Sequence, residues 1–309
     1  MELSSFYAHG KLLLTGEYFV LDGAVAAAVP TRQGQHLLVK KTTADEAVLD
    51  WQSIDNDGSV WLEATFQLSD FQCISHSNLA TAEQLQQILK AVRTENKDFL
   101  AVTNGHKISV ETRLEFPKKW GLGSSSTLLS MVAQWAKVDA FELLAQTMGG
   151  SGYDIACATS KNAILFKKSD NLYEVKNILF EPIFTKNLYF IYLEKKQNSR
   201  DGIAQYRKKG KPDSATIQQI SDLTYRFIAA QTLSELEQII AAHEQIISEN
   251  IALPRAKTLF FADFWGEIKS LGAWGGDFVL ATSERSELET KTYFHQKGYN
   301  TFFRYDQLV

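Results

Sequence analysis

The spacing of apolar and polar residues changes period several times along the chain. Over residues 12–21, apolar and β-prone side chains surround Thr15-Gly16-Glu17, which predicts a strand, a tight turn or bulge, and a second extended piece. Residues 37–39, 47–51 and 60–68 alternate or cluster as strands, with Asp55-Asn56-Asp57-Gly58 as a hairpin turn. The period lengthens over residues 80–93, where Leu85, Ile88, Leu89 and Val92 share one face of a surface helix. Strict alternation returns in Ile108, Val110, Thr112 and Leu114, a strand that leads to Pro117. An apolar segment over 128–138 predicts a helix, and residues 141–148 a second one stopped by Gly149-Gly150. Strands at 163–166 and 172–175 flank Ser169-Asp170-Asn171, and a domain boundary is placed just beyond them. The remainder reads as a strand over 188–193, helices over 213–230 and 233–249, and short strands near 265–269 and 278–282. A helix over 286–297 and a strand over 299–305 close it. Strand, helix, strand, strand, helix, strand is the ferredoxin-like order. The expected architecture is α+β, with domains at 1–176 and 177–309.

Composition agrees. With 309 residues and 45% hydrophobic content the chain can fill one large or two medium cores, and ordinary domain sizes favour two. A net charge of −4 argues against nucleic acid or an anionic membrane as the main partner, so any phosphate binding falls to local basic spots. Cys73 and Cys157 make neither a disulfide framework nor a zinc spacing, which fits a reducing cytoplasm. The most apolar early run, residues 12–29, contains Glu17 and Asp22, so neither an export signal nor a membrane span is expected.

The chemistry centres on Pro117-Lys118-Lys119-Trp120-Gly121-Leu122-Gly123-Ser124-Ser125-Ser126-Thr127, a glycine and hydroxyl cluster running straight into the apolar helix. Glycines let backbone N–H groups approach an anion, and the helix start adds its positive dipole end. A serine-capped helix after a glycine turn is the plain alternative. The cluster is neither a Walker A loop nor Gly-x-Gly-x-x-Gly.

Three stretches in this order resemble the motifs of the GHMP kinase superfamily, which includes galactokinase, homoserine kinase, mevalonate kinase and phosphomevalonate kinase. His9-Gly10-Lys11 with Gly16-Glu17-Tyr18 is similar to the first motif, Pro117 to Ser125 to the second, and Leu271-Gly272-Ala273-Trp274-Gly275-Gly276-Asp277 to the C-terminal glycine loop. The resemblance implies an N-terminal ribosomal-protein-like α/β domain, a C-terminal ferredoxin-like domain, and ATP with Mg²⁺ as cofactors. It implies a nucleotide held by Gly121, Leu122, Gly123, Ser124, Ser125 and Ser126 together with Gly272, Gly275 and Gly276. Asp154, in Gly150-Ser151-Gly152-Tyr153-Asp154, stands where relatives carry the catalytic aspartate; the alternative is a carboxylate capping the next helix. Lys11 matches the family lysine, against the alternative of a solvated strand lysine, although His9 replaces the family proline. Ser125 aligns with the metal-linked serine. Glu142 has the galactokinase spacing to Asp154 for a metal carboxylate, or is an ordinary first-turn glutamate. Trp120 is a pocket wall or a packed strand-end aromatic, and Trp274 is bulky for a glycine loop.

Ala145-Gln146 with residues 150–156, and the segment 194–200 with its lysines and Ser199, look most like the phosphomevalonate kinase branch. The implied activity is transfer of the γ-phosphoryl of ATP to a hydroxyl or phosphate of mevalonate or phosphomevalonate in isoprenoid biosynthesis. The partner is then a small molecule, and a homodimer is compatible. A sugar or amino-alcohol kinase of the same fold, or a nucleotide-binding protein with a relic site, are the alternatives.

Overall fold

The computed structural model describes residues 2–101, 105–169, 172–196 and 199–309. The elements are β1 (Glu2–Thr15), β2 (Ala26–Thr43), β3 (Val48–Ile54), β4 (Val60–Gln67), β5 (Cys73–His76), α1 (Leu79–Glu95), β6 (His106–Leu114), α2 (Ser124–Ala136), α3 (Ala140–Thr147), α4 (Tyr153–Ala158), β7 (Ala163–Ser169) and β8 (Leu172–Ile178). They continue with β9 (Leu188–Tyr192), α5 (Ser199–Lys208), α6 (Ser214–Ala229), α7 (Leu233–Ile251), α8 (Ala256–Phe260), β10 (Ile268–Ser270), β11 (Phe278–Thr282), α9 (Glu287–Gln296), β12 (Phe302–Arg304) and α10 (Tyr305–Leu308). The chain forms two compact units: residues 1–10, 33–118 and 122–159 in the first, and 11–32, 119–121 and 160–309 in the second. The linear boundary expected at residue 176 falls inside the second unit.

In the first unit, β5, β4, β3, β6 and the later part of β2 hydrogen-bond in that order, with β3 and β6 parallel and the other neighbours antiparallel. The hairpin turn forms where Asp55-Asn56-Asp57-Gly58 predicts it, with Asp55 N donating to Ser59 O at 2.8 Å. Helix α1 starts because the Asn78 side chain accepts from Thr81 N at 3.0 Å, satisfying one amide that a helix start leaves bare. Its Leu85, Ile88, Leu89 and Val92 are buried among Trp51, Phe66, Ile108, Val110, Leu129 and Val132.

The second unit contains the four-stranded antiparallel sheet β10-β11-β9-β12. Numbered by appearance, its strands lie in the order 2-3-1-4, and the helices α5 to α9 interrupt them as a ferredoxin-like domain requires. Three local expectations change. Residues 19–22 are a 3₁₀ turn rather than an extended piece, because Gly16 (φ 87°), Tyr18 (φ 62°) and Gly23 (φ 95°) all leave extended space. The basic segment after β9 leads into α5, and its Gln197 and Asn198 lie outside the described residues, as do Asp170 and Asn171 of the loop after β7. The last strand is short and ends in α10, where Arg304 N donates to Gln307 Oε1 at 2.9 Å.

Candidate active site

The glycine and hydroxyl segment is fixed at its start by Lys118 N, which donates to Asp55 Oδ1 at 2.9 Å, while the Lys118 ammonium lies 3.5 Å from the Trp61 ring centre. Gly121 (φ 71°) and Gly123 (φ 92°) both take left-handed backbone, with buried Leu122 between them. Such a double reversal is available to glycine without steric cost. Gly123 then caps α2, and no side chain closes that end. The helix start therefore keeps the bare amides and positive dipole that favour an anion. The hydroxyls divide in role. Ser126 is buried and donates to Gly123 O at 2.8 Å, and Thr127 is buried and bonds Gln35 Oε1 at 2.5 Å. Ser125 is exposed and Ser124 half-buried.

Asp154 is the second residue of α4, whose cap is Gly152 (φ 95°) rather than the aspartate; Asp154 Oδ1 accepts from Ile155 N at 3.1 Å. Glu142 lies exposed in the first turn of α3, which Asp139 caps by accepting from Phe141 N and Glu142 N. Burial first, then the charges of Asp139 and Glu142, raise the Glu95 carboxyl above its ordinary value. Among the described residues no group of three or more His, Cys, Asp and Glu is arranged to hold a metal ion.

In the second unit the Lys11 ammonium donates to Gly121 O at 3.2 Å, and Tyr192 Oη donates to Lys119 O at 3.0 Å. Trp120 meets Phe278 and Phe303 edge-on, with centroids 5.7 and 5.3 Å away, and so packs as a strand-end aromatic. Trp274 is 3% exposed within a cluster of Phe19, Tyr206, Ile220 and Ile247, so its bulk points into the core and leaves the loop surface to Gly272 and Gly275. Asp277 (φ 54°) sets its carboxylate against Gly121, where a Cβ would overlap it. Gly121→Ala therefore combines a left-handed alanine with that overlap, and its thermal midpoint is expected to fall by several degrees. Gly121→Ala with Asp277→Gly is expected to recover the part due to overlap.

The sequence reading missed a wholly buried polar group in the second unit. Lys269 Nζ lies 2.5 Å from Glu17 Oε1 and 3.7 Å from Glu244 Oε1, and donates to Ser270 O at 3.0 Å. Ser270 donates to Glu244 through N and Oγ, each at 3.1 Å. His243 Nε2 accepts from Gly16 N at 3.1 Å, so the imidazole is neutral and holds the turn of the first motif; its Nδ1 has no hydrogen-bond partner. Burial, then the Lys269 charge, hold His243 well below its ordinary value, while burial pushes Glu244 up to about 8 and raises Glu17 despite Lys269. A histidine at helical spacing from Leu236, Ile240 and Ile247 on α7 was the available signal.

No family model matches the chain, and no curated protein matches it in sequence. Solved structures do match. The Methanococcus jannaschii mevalonate kinase superposes with TM-score 0.69 at 16% identity over 98% of this chain and 97% of its own. Streptococcus pneumoniae phosphomevalonate kinase in complex with phosphomevalonate and AMPPNP gives 0.68 at 14% over 98% and 100%. Lactococcus lactis galactokinase complexed with galactose gives 0.67 at 14% over 98% and 92%. A mevalonate kinase, a phosphomevalonate kinase and a galactokinase thus share their fold with this chain, the α+β fold of the GHMP kinases.

Proposed function

We propose that this protein is an ATP-dependent small-molecule kinase that phosphorylates mevalonate or phosphomevalonate. The observation that carries the reading is the Gly121-Leu122-Gly123 reversal opening α2 without a side-chain cap, with Lys11 bonded to Gly121 O, on a GHMP kinase fold. In this reading the first-turn amides of α2 and Ser124 and Ser125 bind nucleotide phosphates. For mevalonate, Asp154 takes the proton of the acceptor hydroxyl as the hydroxyl oxygen bonds to the γ-phosphorus; for phosphomevalonate an already ionised phosphate oxygen forms that bond and Asp154 orients it; in both the bond to the β-phosphate oxygen breaks and ADP leaves. Lys11 stabilises the developing negative charge. The exposed Ser125 hydroxyl fits a magnesium ion carried on the nucleotide, with Glu142 as the carboxylate that sequence spacing offers. Bound there, magnesium neutralises phosphate charge.

The test has two arms. Calorimetry with magnesium and a non-hydrolysable ATP analogue is expected to show binding, and its absence sinks the reading. An ADP-release assay over mevalonate, phosphomevalonate, homoserine and galactose is expected to favour one of the first two; preference for galactose or homoserine moves the assignment to the sugar or amino-alcohol class. No helix among the described residues is long and apolar enough to cross a membrane, and a cytoplasmic site of action belongs to the same proposal.

A further inference from the structure

Tyr18 is 7% exposed and keeps a left-handed backbone at φ 62°, a conformation that a tyrosine holds only when its surroundings over-determine it. Those surroundings are three. Its ring stacks on Tyr206 of α5, with centroids 5.7 Å apart and planes at 24°. Its hydroxyl accepts the backbone N–H of Trp274, in the C-terminal glycine loop, at 3.0 Å. The same oxygen lies so close to α5 that a Cβ on Gly202 would stand 2.5 Å from it. One phenolic oxygen thus touches both the loop and the helix. Tyr206 Oη in turn donates to Asp22 at 2.7 Å, and Arg207 donates to both Asp22 oxygens at 2.9 and 2.7 Å, tying α5 to the 3₁₀ turn that follows Tyr18.

We propose that Tyr18 is a positioning residue that transmits nucleotide binding at the C-terminal glycine loop to α5, the helix that follows the lysine-bearing segment after β9. The proposal rests on the kinase reading above. Gly272 (φ 66°) and Gly275 (φ 89°) have open space where a side chain would stand, so the loop backbone around Trp274 has room to follow a phosphate. Trp274 is anchored by its buried ring and by its amide on Tyr18. Movement of that amide acts on a ring held between Tyr206 and Gly202, and so on α5. By thermodynamic reciprocity, an acceptor that orders α5 tightens nucleotide binding by the same factor.

Hydrogen exchange of the full chain, with and without magnesium and a non-hydrolysable ATP analogue, tests this. In the wild type the analogue is expected to slow exchange in both 272–276 and 201–208. Tyr18→Phe keeps the stacked ring and removes the hydroxyl bond. It is expected to bind the analogue about 2- to 10-fold more weakly, the usual effect of one neutral hydrogen bond, and to retain protection in the loop while losing it in α5. Gly202→Ala, whose Cβ displaces the same oxygen, is expected to reproduce this and carries the comparison if Tyr18→Phe does not fold. A Tyr18→Phe protein that still protects α5, or loses loop protection as well, overturns the proposal. So does a wild type in which the loop responds and α5 does not. A wild type that binds no nucleotide overturns the kinase reading instead.

Discussion

Asp154→Asn is expected to lower kcat by about 10²–10⁴ with nucleotide affinity nearly unchanged, the range for loss of a positioned acid-base group. The variant keeps the shape of the side chain and its oxygen toward Ile155 N, so α4 should remain folded. Lys11→Met is expected to fall in a similar range if, as proposed, it removes a cation that acts mainly in the transition state. If the two act on one step, the double variant is far less impaired than the product of the singles, because one interaction cannot be lost twice. Steady-state kinetics beside thermal melts decide the matter. Catalysis intact in Asp154→Asn would make Asp154 a local helix-start residue and nothing more.

Lys269→Met is expected to be among the most destabilising single changes, by about 3–5 kcal/mol, because it strands the Glu17 carboxylate in the interior without its cation. Pairing it with Glu17→Gln should recover much of the loss. The same group gives stability a pH slope. Glu244, with an ordinary value of 4.5 and a folded value of about 8, binds its proton in the folded state and has released it in the unfolded state throughout that window. Stability therefore falls as pH rises through it, by up to ~1.4 kcal/mol per unit for one proton, and Glu17, raised in the same direction, adds to the fall. His243 opposes it below its ordinary 6.5, where the unfolded imidazole takes up a proton that the fold denies. The net expectation is a decline from pH 6.5 to 8 that Glu244→Gln flattens. Urea unfolding at stepped pH measures it, and a wild type that gains stability over that interval contradicts the assignment.

Much of this was legible in the chain because local pattern and tertiary burial coincide. The period-two run Ile108, Val110, Thr112, Leu114 and the helical set Leu85, Ile88, Leu89, Val92 are buried as their spacing demands. Helix α5 was hidden because its sequence, SRDGIAQYRK, is polar and carries Gly202 at its middle, a residue explained by the distant Tyr18 hydroxyl. Phe19, Val20 and Leu21 favour strand by propensity, and the reversals at Gly16, Tyr18 and Gly23 override them. The buried Glu17, His243, Glu244 and Lys269 come from a turn, a helix and a strand far apart in sequence, so no spacing rule could assemble them. In the candidate site, positions were readable from motifs, whereas the inward turn of Ser126 and Trp274 depends on packing that only the folded chain supplies.

The division of the chain also bears on its biosynthesis. Residues 11–32 leave the ribosome well before residues 160–309, yet they belong to the same unit. During translation Thr15, Gly16 and Phe19 precede their partners Thr224, His243, Ile220 and Ile247 by some two hundred residues. A nascent chain in that condition keeps apolar surface exposed until α6 and α7 arrive.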